Sequence, residues 1–422
     1  MNKPRIYLAI DTFLPLVGGA EKQAFLQGKY LREQGFVATI ITMCYQQDWP
    51  DSEWLDGVPV LRVAGKVLSW RERAPGVLRR FCYLLALCVF GWQLWCKRRE
   101  YDIVHVFQLT LFTLPALLVC RLARKQLIVA MRNDAPPVGV GEPSSKRRAR
   151  TRADLESLER LGRPALRLIN RQLRLTGARL VVLSAQMRVS LKRSGLEGAG
   201  VLLIPNGVNT ACFHPWPALR ETNPLVICVA KMRYQKGIDV LLRAWWQVAK
   251  QIPSARLLII GDGPLLSSLE CLAESLGITS SVEFTGFRAN IVSQLQRAHI
   301  AVLPSRWEGM SNALLEAMSC GLACVATRVS GSEDLLQDGT YGMLVEPEDV
   351  PGLAEALLRL LQHPELAQSY GQHARHYVEQ NYAFAQVMDK YIELYNEERD
   401  RKLCVEFAES IMHTAASQSH QD

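Results

Sequence analysis

Two glutamates, Glu308 and Glu316, lie eight positions apart around the start of a predicted helix. The preceding run AHIAVL is short and apolar, as expected of a buried strand, and loop-forming residues connect it to the helix. Ser311 or Asn312 can cap this helix, whose free N–H groups favour an anion. With one carboxylate in the loop and a second about two turns into the helix, the region suits a nucleotide-activated substrate. The alternative is an ordinary helix start at which the dipole favours acidic side chains.

Cations follow another predicted strand, LVICVA. Lys231 and Lys236 flank the loop after this strand, and Arg233 lies between them. Cations that reach into a cleft can neutralise a diphosphate. A surface loop with solvated cations is the alternative, and it suits Arg233 better than Lys236.

A glycine pair, Gly18 and Gly19, separates the first predicted strand from the first predicted helix. Glycine lets the backbone approach a ligand closely, and the helix start favours a phosphate. A Gly-Gly turn alone is usually only a turn. The G-x-G-x-x-G motif is absent here, so the pair does not indicate a dinucleotide-binding domain.

Length and composition describe a folded chain with two domains. The 422 residues include 49% hydrophobic and 21% charged residues, which excludes a disordered protein. The start, MNKPRIYLAIDTF, reads as a strand and not as a signal peptide. The eleven cysteines form neither a C-x-x-C pair nor a Cys/His metal spacing, and no Asp-x-Asp motif occurs. We therefore expect a cytoplasmic protein without a metal site.

Positive charge is concentrated in the first half of the chain. Residues 1–205 contain 32 Lys and Arg against 16 Asp and Glu, a balance of +16. The remaining residues contain 17 against 25, a balance of −8. The two halves are therefore expected to meet different partners.

Part of this positive charge is arranged in two groups. A predicted loop holds five basic residues, namely Lys146, Arg147, Arg148, Arg150 and Arg152. Further arginines recur at three- and four-residue steps, which form one face of a helix: Arg160, Arg163, Arg167, Arg171 and Arg174. Such a face suits an anionic membrane, and a solvated surface helix is the alternative. Nucleic acid is not an expected partner, because no aromatic platform or reader motif accompanies the charge.

The segment from Phe81 to Cys96 is almost wholly apolar and has basic residues at both ends. As a helix it would be about 24 Å long, which is short of the hydrocarbon core of roughly 30 Å. We therefore do not expect it to span a membrane. A buried core helix and a helix at the membrane interface both remain open.

Strand patterns alternate with helical patterns twice along the chain. The first series includes IYLAI, ATIIT, DIVHV, QLIVAM and RLVVL, and the second begins with LVICVA after the punctuation IPNGVN. Short apolar runs separated by helices are typical of buried parallel strands. Two such series predict an α/β protein with two doubly wound domains.

The motif PS-x-x-EG-x-x-N-x-LLEAM-x-CG, which begins at Pro304, resembles the donor-site signature of the retaining, GT-B-fold glycosyltransferases of family 4. The segments GG-x-E at the first turn, GDGP at 261–264 and PNGVN at 205–209 are similar to family positions as well. The resemblance implies two Rossmann-like domains facing across a cleft. The acceptor-binding domain would comprise residues 1–205, with a C-terminal helix at about 384–403 packing back on it, and the nucleotide-sugar-binding domain residues 206–383.

The resemblance also implies roles for individual residues. Glu308 would contact the hydroxyls of the donor sugar, and Glu316 would accept hydrogen bonds from the ribose. The remaining donor contacts would come from Gly18, Gly19, Lys231, Arg233, Lys236, Met310, Ser311 and Asn312. The family usually has arginine at the position of Lys231.

His105 lies near the end of the predicted strand DIVHV. The family commonly has a His-x-His pair at this place, near the sugar and the acceptor, so the resemblance implies a catalytic role for His105. Phe107 replaces the second histidine of the pair. A structural role is the alternative for a lone histidine at a strand end.

The implied reaction moves a sugar from a UDP- or GDP-linked donor to the hydroxyl of a glycan or lipid-linked acceptor, with retention and without a metal ion or other cofactor. Such enzymes act in bacterial polysaccharide, lipopolysaccharide and lipid-linked glycan assembly, here at the inner face of the cell membrane. Two alternatives remain open, a sugar-nucleotide epimerase or hydrolase of the same fold and a non-catalytic nucleotide-sugar-binding subunit of a membrane glycan complex.

Overall fold

The structure, a computed structural model, describes residues 3–15, 18–46, 48–73, 75–133, 156–159 and 161–418. For residues 71–73, 76–77, 156–157 and 402–418 it describes the backbone only. The predicted basic loop at 146–152 and Arg160 lie outside the described residues.

The first domain is built on an eight-stranded sheet with the order β3-β4-β2-β1-β5-β6-β7-β8. All neighbouring strands are parallel except β3 and β4, which form an antiparallel pair at one edge. The short apolar runs of the sequence form these strands: β1 Arg5–Ile10, β2 Val37–Met43, β3 Ser52–Leu55, β4 Val58–Val63, β5 Ile103–Val106, β6 Gln126–Met131, β7 Arg179–Val182 and β8 Val201–Leu203.

Helices cover both faces of this sheet. Their bounds are α1 Gly19–Glu33, α2 Gly65–Arg73, α3 Gly76–Cys96, α4 Thr113–Leu122, α5 Glu156–Glu159, α6 Arg163–Thr176 and α7 Ala185–Arg193. Buried side chains of α3, α4 and α6 join the core on one face of the sheet. Buried side chains of α1 join a separate core on the opposite face.

The second domain is built on a six-stranded, wholly parallel sheet with the order β11-β10-β9-β12-β13-β14. Its strands are β9 Leu225–Val229, β10 Arg256–Ile260, β11 Val282–Phe284, β12 Ile300–Leu303, β13 Ala323–Thr327 and β14 Met343–Val345. Its helices are α8 Ile238–Gln251, α9 Leu266–Ser275, α10 Val292–Arg297, α11 Asn312–Ser319, α12 Ser330–Leu336, α13 Val350–Gln362 and α14 Pro364–Asn381. Two doubly wound domains, each on a mainly or wholly parallel sheet, confirm the predicted fold class.

The chain crosses between the domains twice, and the two crossings lie side by side. Val208 and Ala383 form a parallel bridge between them. The backbone N–H of Val208 donates to the carbonyl of Tyr382, and that of Phe384 donates to the carbonyl of Val208, both at 2.9 Å. The last helix, α15 Phe384–Gln418, then packs on β5 and β6 of the first sheet. It is longer than the helix predicted at 384–403.

The apolar helix α3 has two different faces. At four-residue steps, Cys82, Ala86, Phe90 and Leu94 are buried, and the last three belong to the core on one face of the first sheet. Phe81 and Trp92 point outward and are more than half exposed. One face of the helix therefore belongs to the core, as the first alternative expected, and the other is an exposed apolar surface. Contact of that surface with a membrane stays a prediction. Within the described ranges, no helix combines the length and apolar character needed to cross a membrane.

Candidate functional site

The site lies where the strand order of the second sheet reverses. From β9 the chain proceeds to β10 on one side, whereas β12 pairs with β9 on the other side. Ligands of open parallel sheets bind outside the carboxyl ends of the strands at such a switch point. The loops after β9 and β12 therefore meet here, and they carry the lysines and the first glutamate singled out in the sequence.

Lys236 and Glu308 form an ion pair across these two loops. The Lys236 Nζ donates to both carboxylate oxygens of Glu308, at 2.6 and 2.7 Å. The carboxylate is buried, and the lysine is largely so. A charge pair so shielded from water interacts more strongly than one on the surface, and losing either partner leaves the other uncompensated.

Gly237 holds the turn that presents Lys236. This glycine has a φ of 61°, in the left-handed region, and a Cβ there would lie 2.0 Å from the carbonyl oxygen of Pro304. Only glycine tolerates both the backbone conformation and the contact. The β9 loop can therefore lie directly against the β12 loop.

Arg306, in the β12 loop, connects this loop to residues that follow β9. This role was not predicted from the sequence. Its side chain is only 3% exposed. The guanidinium donates two parallel hydrogen bonds to Asp239 at 2.8 and 2.9 Å and a third bond to the carbonyl of Tyr234 at 2.6 Å. It also forms an ion pair with Glu348. Burial alone would raise the pKa of Asp239, but the hydrogen bonds and charge of Arg306, with a smaller contribution from Arg243, hold this pKa below its usual range.

Two further hydrogen bonds, one from the backbone and one from an amide side chain, connect the same two loops. The N–H of Arg306 donates to the carbonyl of Gln235 at 2.7 Å. In return, the Nε2 of Gln235 donates to the carbonyl of Trp307 at 2.9 Å. Lys236 directly follows Gln235, and Glu308 directly follows Trp307. These hydrogen bonds therefore hold the two loops where Lys236 and Glu308 can pair. The signal in the sequence was a charged residue in an otherwise apolar strand-to-loop segment.

Glu316 lies inside α11, which begins where the sequence predicted. The hydroxyl of Ser311 accepts a hydrogen bond from the N–H of Leu314 at 3.3 Å and so caps the helix. The Glu316 carboxylate is buried and forms an ion pair with Lys22 of α1, in the first domain. Burial raises the pKa of Glu316, and the charge of Lys22 opposes this shift. Lys22 was not singled out in the sequence.

Asn312 connects the start of α11 to the first domain. Its Nδ2 donates to the carbonyl of Gly19 at 3.1 Å, which brings the predicted glycine turn next to the predicted donor helix. Its Oδ1 accepts from the Nδ2 of Asn206 at 2.9 Å and from the Nε2 of Gln23 at 3.2 Å. The side chain of Asn312 is therefore occupied in joining the domains.

Met310 and Gly18 lie at the same junction. The carbonyl of Met310 accepts from the Nδ2 of Asn206 at 3.2 Å, and its side chain is buried. Gly18 directly precedes α1, and a Cβ added to it would collide with the carboxylate of Glu21.

Lys231 and Arg233 lie in the same loop as Lys236. Lys231 is exposed at the cleft, yet partial desolvation lowers its pKa, and the charge of Glu21 in the first domain acts in the opposite direction. Arg233 is half-buried. The three cations are therefore brought together on one side of the cleft.

The domains are closed against each other around this site. A Cβ on Gly309 would lie 1.9 Å from the carbonyl oxygen of Arg132, so the β12 loop touches the first domain directly. On a second line of contact, the Ser184 and Ser330 hydroxyls are 2.7 Å apart. The N–H of Ala185 donates to Asp334 at 2.8 Å. These contacts hold the β12 loop and α12 directly against the first domain.

His105 does not reach the cleft surface in this structure. Its ring is fully buried, stacks on Phe107 with 4.6 Å between ring centroids, and hydrogen-bonds through Nδ1 to the Tyr395 hydroxyl at 2.7 Å. Burial, with a smaller effect of the Arg132 charge, lowers the pKa of His105 well below its ordinary value. The placement favours the structural alternative, because α15 covers the end of β5.

Metal binding was not expected from the sequence. Across the parts of the chain that the structure describes, no group of three or more His, Cys, Asp and Glu side chains could hold a metal ion. The charge at the cleft is instead carried by lysine, arginine and glutamate side chains.

Comparison with known proteins agrees with this architecture. Residues 18–207 match the family model described as "Glycosyl transferase 4-like domain", and residues 223–363 match the model described as "Glycosyl transferases group 1". The structure resembles sucrose-phosphate synthase from Thermosynechococcus elongatus, with a TM-score of 0.73 and 20% identity over 93% of this chain and 99% of that chain. It also resembles Anabaena HepE, solved with UDP and glucose, with a TM-score of 0.72 and 17% identity over 93% of this chain and 100% of that chain.

Curated relatives are similar over part of the chain. N-acetyl-alpha-D-glucosaminyl L-malate synthase of Bacillus anthracis is 30% identical over 42% of this chain and 46% of that protein. The GDP-mannose-dependent alpha-(1-6)-phosphatidylinositol monomannoside mannosyltransferase of Mycolicibacterium smegmatis is 32% identical over 42% of this chain and 52% of that protein. The chain thus spans about half the length of these relatives. With both halves matched by family models and the expected fold in place, the chain belongs to the group 1 glycosyl transferases, which have the GT-B fold.

Proposed function

We propose that the protein is a retaining glycosyltransferase that moves a sugar from a nucleotide diphosphate sugar to an acceptor hydroxyl without a metal ion. The observation that carries this proposal is the Lys236–Glu308 pair at the switch point of the second sheet, in the same cleft as the buried Glu316. Cations for a diphosphate and carboxylates for sugar hydroxyls are both present there, and the two domains meet around them.

The two carboxylates have different tasks in this proposal. Glu308 accepts hydrogen bonds from hydroxyls of the donor sugar and stabilises positive charge that develops at the anomeric carbon. Glu316 accepts hydrogen bonds from the ribose, and for this it must exchange Lys22 for the ribose hydroxyls. We assign no side chain as a nucleophile.

The cations stabilise the leaving group. Lys231, Arg233 and Lys236 neutralise charge on the diphosphate as the bond to the sugar breaks, with the Gly18–Gly19 backbone close to it. Because three cations already face the cleft, the proposal includes no divalent ion. Lys236 would be shared between Glu308 and the diphosphate, which links sugar binding to leaving-group stabilisation.

The donor class and acceptor are part of the proposal. A UDP- or GDP-linked sugar is supported by the UDP seen with HepE and by the GDP-mannose dependence of the mycobacterial relative. A glycan or lipid-linked acceptor, met by the basic first domain at the inner face of the cell membrane, is supported by the phosphatidylinositol mannoside acceptor of that relative. Polysaccharide, lipopolysaccharide or lipid-linked glycan assembly is the proposed setting.

Thermal stabilisation by a panel of UDP-, GDP-, ADP- and CDP-sugars, with and without EDTA, tests the donor site. We expect one nucleotide class to raise the melting temperature, Glu316→Ala to abolish this rise, and EDTA to leave it unchanged. Glu355→Ala, which removes an exposed carboxylate of α13 in the same domain, is the matched control. No shift with any sugar nucleotide would contradict the donor site.

The reaction itself needs a separate measurement. With the stabilising donor and a panel of glycan and lipid-linked acceptors, product NMR reports the anomeric configuration, which we expect to match that of the donor. Inversion would contradict the retaining assignment. Donor hydrolysis or epimerisation without transfer would favour the sugar-nucleotide alternative, and binding without any turnover would favour a non-catalytic subunit.

A further inference from the structure

The outer surface of the first domain carries an apolar face that neither the core nor the cleft uses. It is formed by neighbouring helices, because α3 packs against α2 and α4, and α4 packs against α6. We name it the α3 face, and its large apolar side chains are each 44–71% exposed: Trp70, Leu78, Phe81, Leu84, Leu85, Trp92, Leu118 and Leu122. Single exposed apolar residues are ordinary, but a group of this size on adjoining helices marks an interaction site.

The side chains of α3 share one stripe of the helix. Leu78, Phe81, Leu85 and Trp92 follow three-, four- and seven-residue steps, which keep them on one side. Close packing of the two helices adds the side chains of α4. A Cβ on Gly91 would lie 3.1 Å from the Pro115 side chain, so the helices meet beside Trp92.

Positive charge borders this apolar face. Arg79 and Arg80 lie at the start of α3, and Arg121 lies between Leu118 and Leu122 on α4, all three exposed. On α6 the exposed side carries Arg163, Arg167 and Arg171, part of the arginine stripe seen in the sequence. Within the described ranges, no carboxylate forms an ion pair with any of these six arginines.

We propose that the α3 face docks on an anionic lipid bilayer, with its aromatic and aliphatic side chains in the interface and its arginines on the head groups. Tryptophan and phenylalanine beside arginine suit the boundary between head groups and acyl chains. The unpaired positive border favours anionic lipid over a second copy of the chain, because two such borders would repel each other. An apolar centre of leucines is not what single-stranded or duplex nucleic acid requires.

The mode of binding follows from the packing of α3. Its opposite side, including Phe90 and Leu94, belongs to the core of the first domain. The helix therefore lies parallel to the membrane surface, with only the outer stripe entering it. The inference rests on the proposed function for its membrane setting. None of the side chains of the α3 face is a proposed donor contact, so failure of the membrane docking and failure of the proposed reaction can be told apart.

Flotation of the full-length protein with vesicles tests the proposal. We compare pure phosphatidylcholine vesicles with vesicles containing phosphatidylglycerol, at low and high salt. The variants are Phe81→Ser/Trp92→Ser for the apolar stripe and Arg79→Glu/Arg80→Glu for the border. Trp54→Ser is the matched control, since Trp54 lies on the edge strand β3 and is as exposed as Trp92, 66% against 64%. Melting temperature confirms that each variant is folded.

We expect binding that requires phosphatidylglycerol, weakens with salt, and falls at least about tenfold in each double variant but not in Trp54→Ser. Absence of binding to either vesicle, or equal binding by the double variants, would overturn the proposal. So would a concentration-dependent dimer that the Phe81→Ser/Trp92→Ser variant loses, because a second copy would then occupy the face. Donor-induced thermal stabilisation is expected to be unchanged in all of these variants.

Discussion

Lys22 of α1 forms an ion pair with Glu316 of α11, so a cation of one domain covers the carboxylate that is proposed to bind ribose in the other. The ammonium also lies 5.2 Å from the centre of the Phe213 ring. Because the nucleoside must displace this cation, we expect Lys22→Met to bind the nucleoside of the preferred donor about two- to fivefold more tightly. This range corresponds to one partly exposed ion pair, roughly 0.5–1 kcal/mol. Calorimetric titration with the nucleoside, which has no phosphate for Lys22 to attract, measures the effect.

Lys29→Met is the control for this change. Lys29 lies on the same helix and pairs at 3.2 Å with Asp56, an exposed carboxylate of the same domain. We expect its removal to leave nucleoside affinity unchanged. Weaker nucleoside binding by Lys22→Met than by the control would show that Lys22 assists binding and does not compete with it.

Gly237 offers a second prediction, since both its φ and its contact with Pro304 exclude a side chain. We expect Gly237→Ala to lower the melting temperature and to weaken donor binding at least about tenfold, because Lys236 is displaced from Glu308. Gly277→Ala is the control, with a similar φ of 68° but no atom within 4 Å of the added Cβ. That variant should lose only about 1–2 kcal/mol of stability from backbone strain. Equal donor affinity in the two variants would show that the turn does not position Lys236.

Arg306 gives a third prediction through its bonds to Asp239. In Arg306→Met, the partly buried carboxylate of Asp239 keeps only the guanidinium of Arg243 as a charged partner, at 3.2 Å. We expect a loss of roughly 3 kcal/mol in the free energy of unfolding, together with weaker donor binding. Chemical denaturation followed by tryptophan fluorescence measures the first effect.

The matched comparison for Arg306 is Arg243→Met. It removes the more exposed partner of the same carboxylate, so we expect a loss of less than about 1 kcal/mol. Similar losses in the free energy of unfolding in the two variants would mean that Arg306 contributes no more than Arg243 to holding the loop that carries Lys236.

The pKa of His105 leads to a fourth prediction. Burial keeps the pKa of His105 in the folded protein well below 6.5. As the pH falls below about 6.5, His105 is therefore protonated in the unfolded chain but stays neutral in the folded protein. This histidine therefore favours folding above that pH, and the benefit is lost as the pH falls toward the folded pKa. His105→Leu also removes the hydrogen bond to Tyr395. We expect the variant to be less stable than wild type at pH 7.5 and the difference to narrow at pH 5.5.

Melting temperatures at the two pH values measure the difference. An equal difference in melting temperature between wild type and variant at both pH values would mean that His105 does not titrate as its burial implies. The same variant separates the two roles considered for this residue. Loss of turnover with unchanged melting temperature and donor affinity would support the catalytic role that the family resemblance implied.

The sequence was sufficient for those parts of the site that lie on neighbouring strands. Glu308 and Lys236 are 72 positions apart, but each follows a predicted parallel strand, and the carboxyl ends of such strands meet at one edge. The start of α11 was likewise predictable, because a serine cap leaves a local signal.

Contacts between the domains could not be predicted in this way. Lys22 and Glu316 are 294 positions apart, and their meeting depends on how two complete domains close. Asn312 appeared as a cap or donor ligand because its bonds to Gly19 and Asn206 leave no local pattern. His105 illustrates a third limit. The sequence placed it near the end of a strand and placed the last helix on the first domain, but the contact of the His105 ring with the Tyr395 hydroxyl has no local pattern.

The paired crossings at Val208 and Ala383 have a consequence for biosynthesis. The core beneath α1 includes Val387 and Tyr395, which the ribosome delivers only after the whole second domain. Until α15 is made, apolar side chains of β1 and β5 in the nascent first domain therefore lack the helix that covers them, while some 180 further residues are translated. Chaperone binding to stalled nascent chains should accordingly persist until α15 has left the exit tunnel.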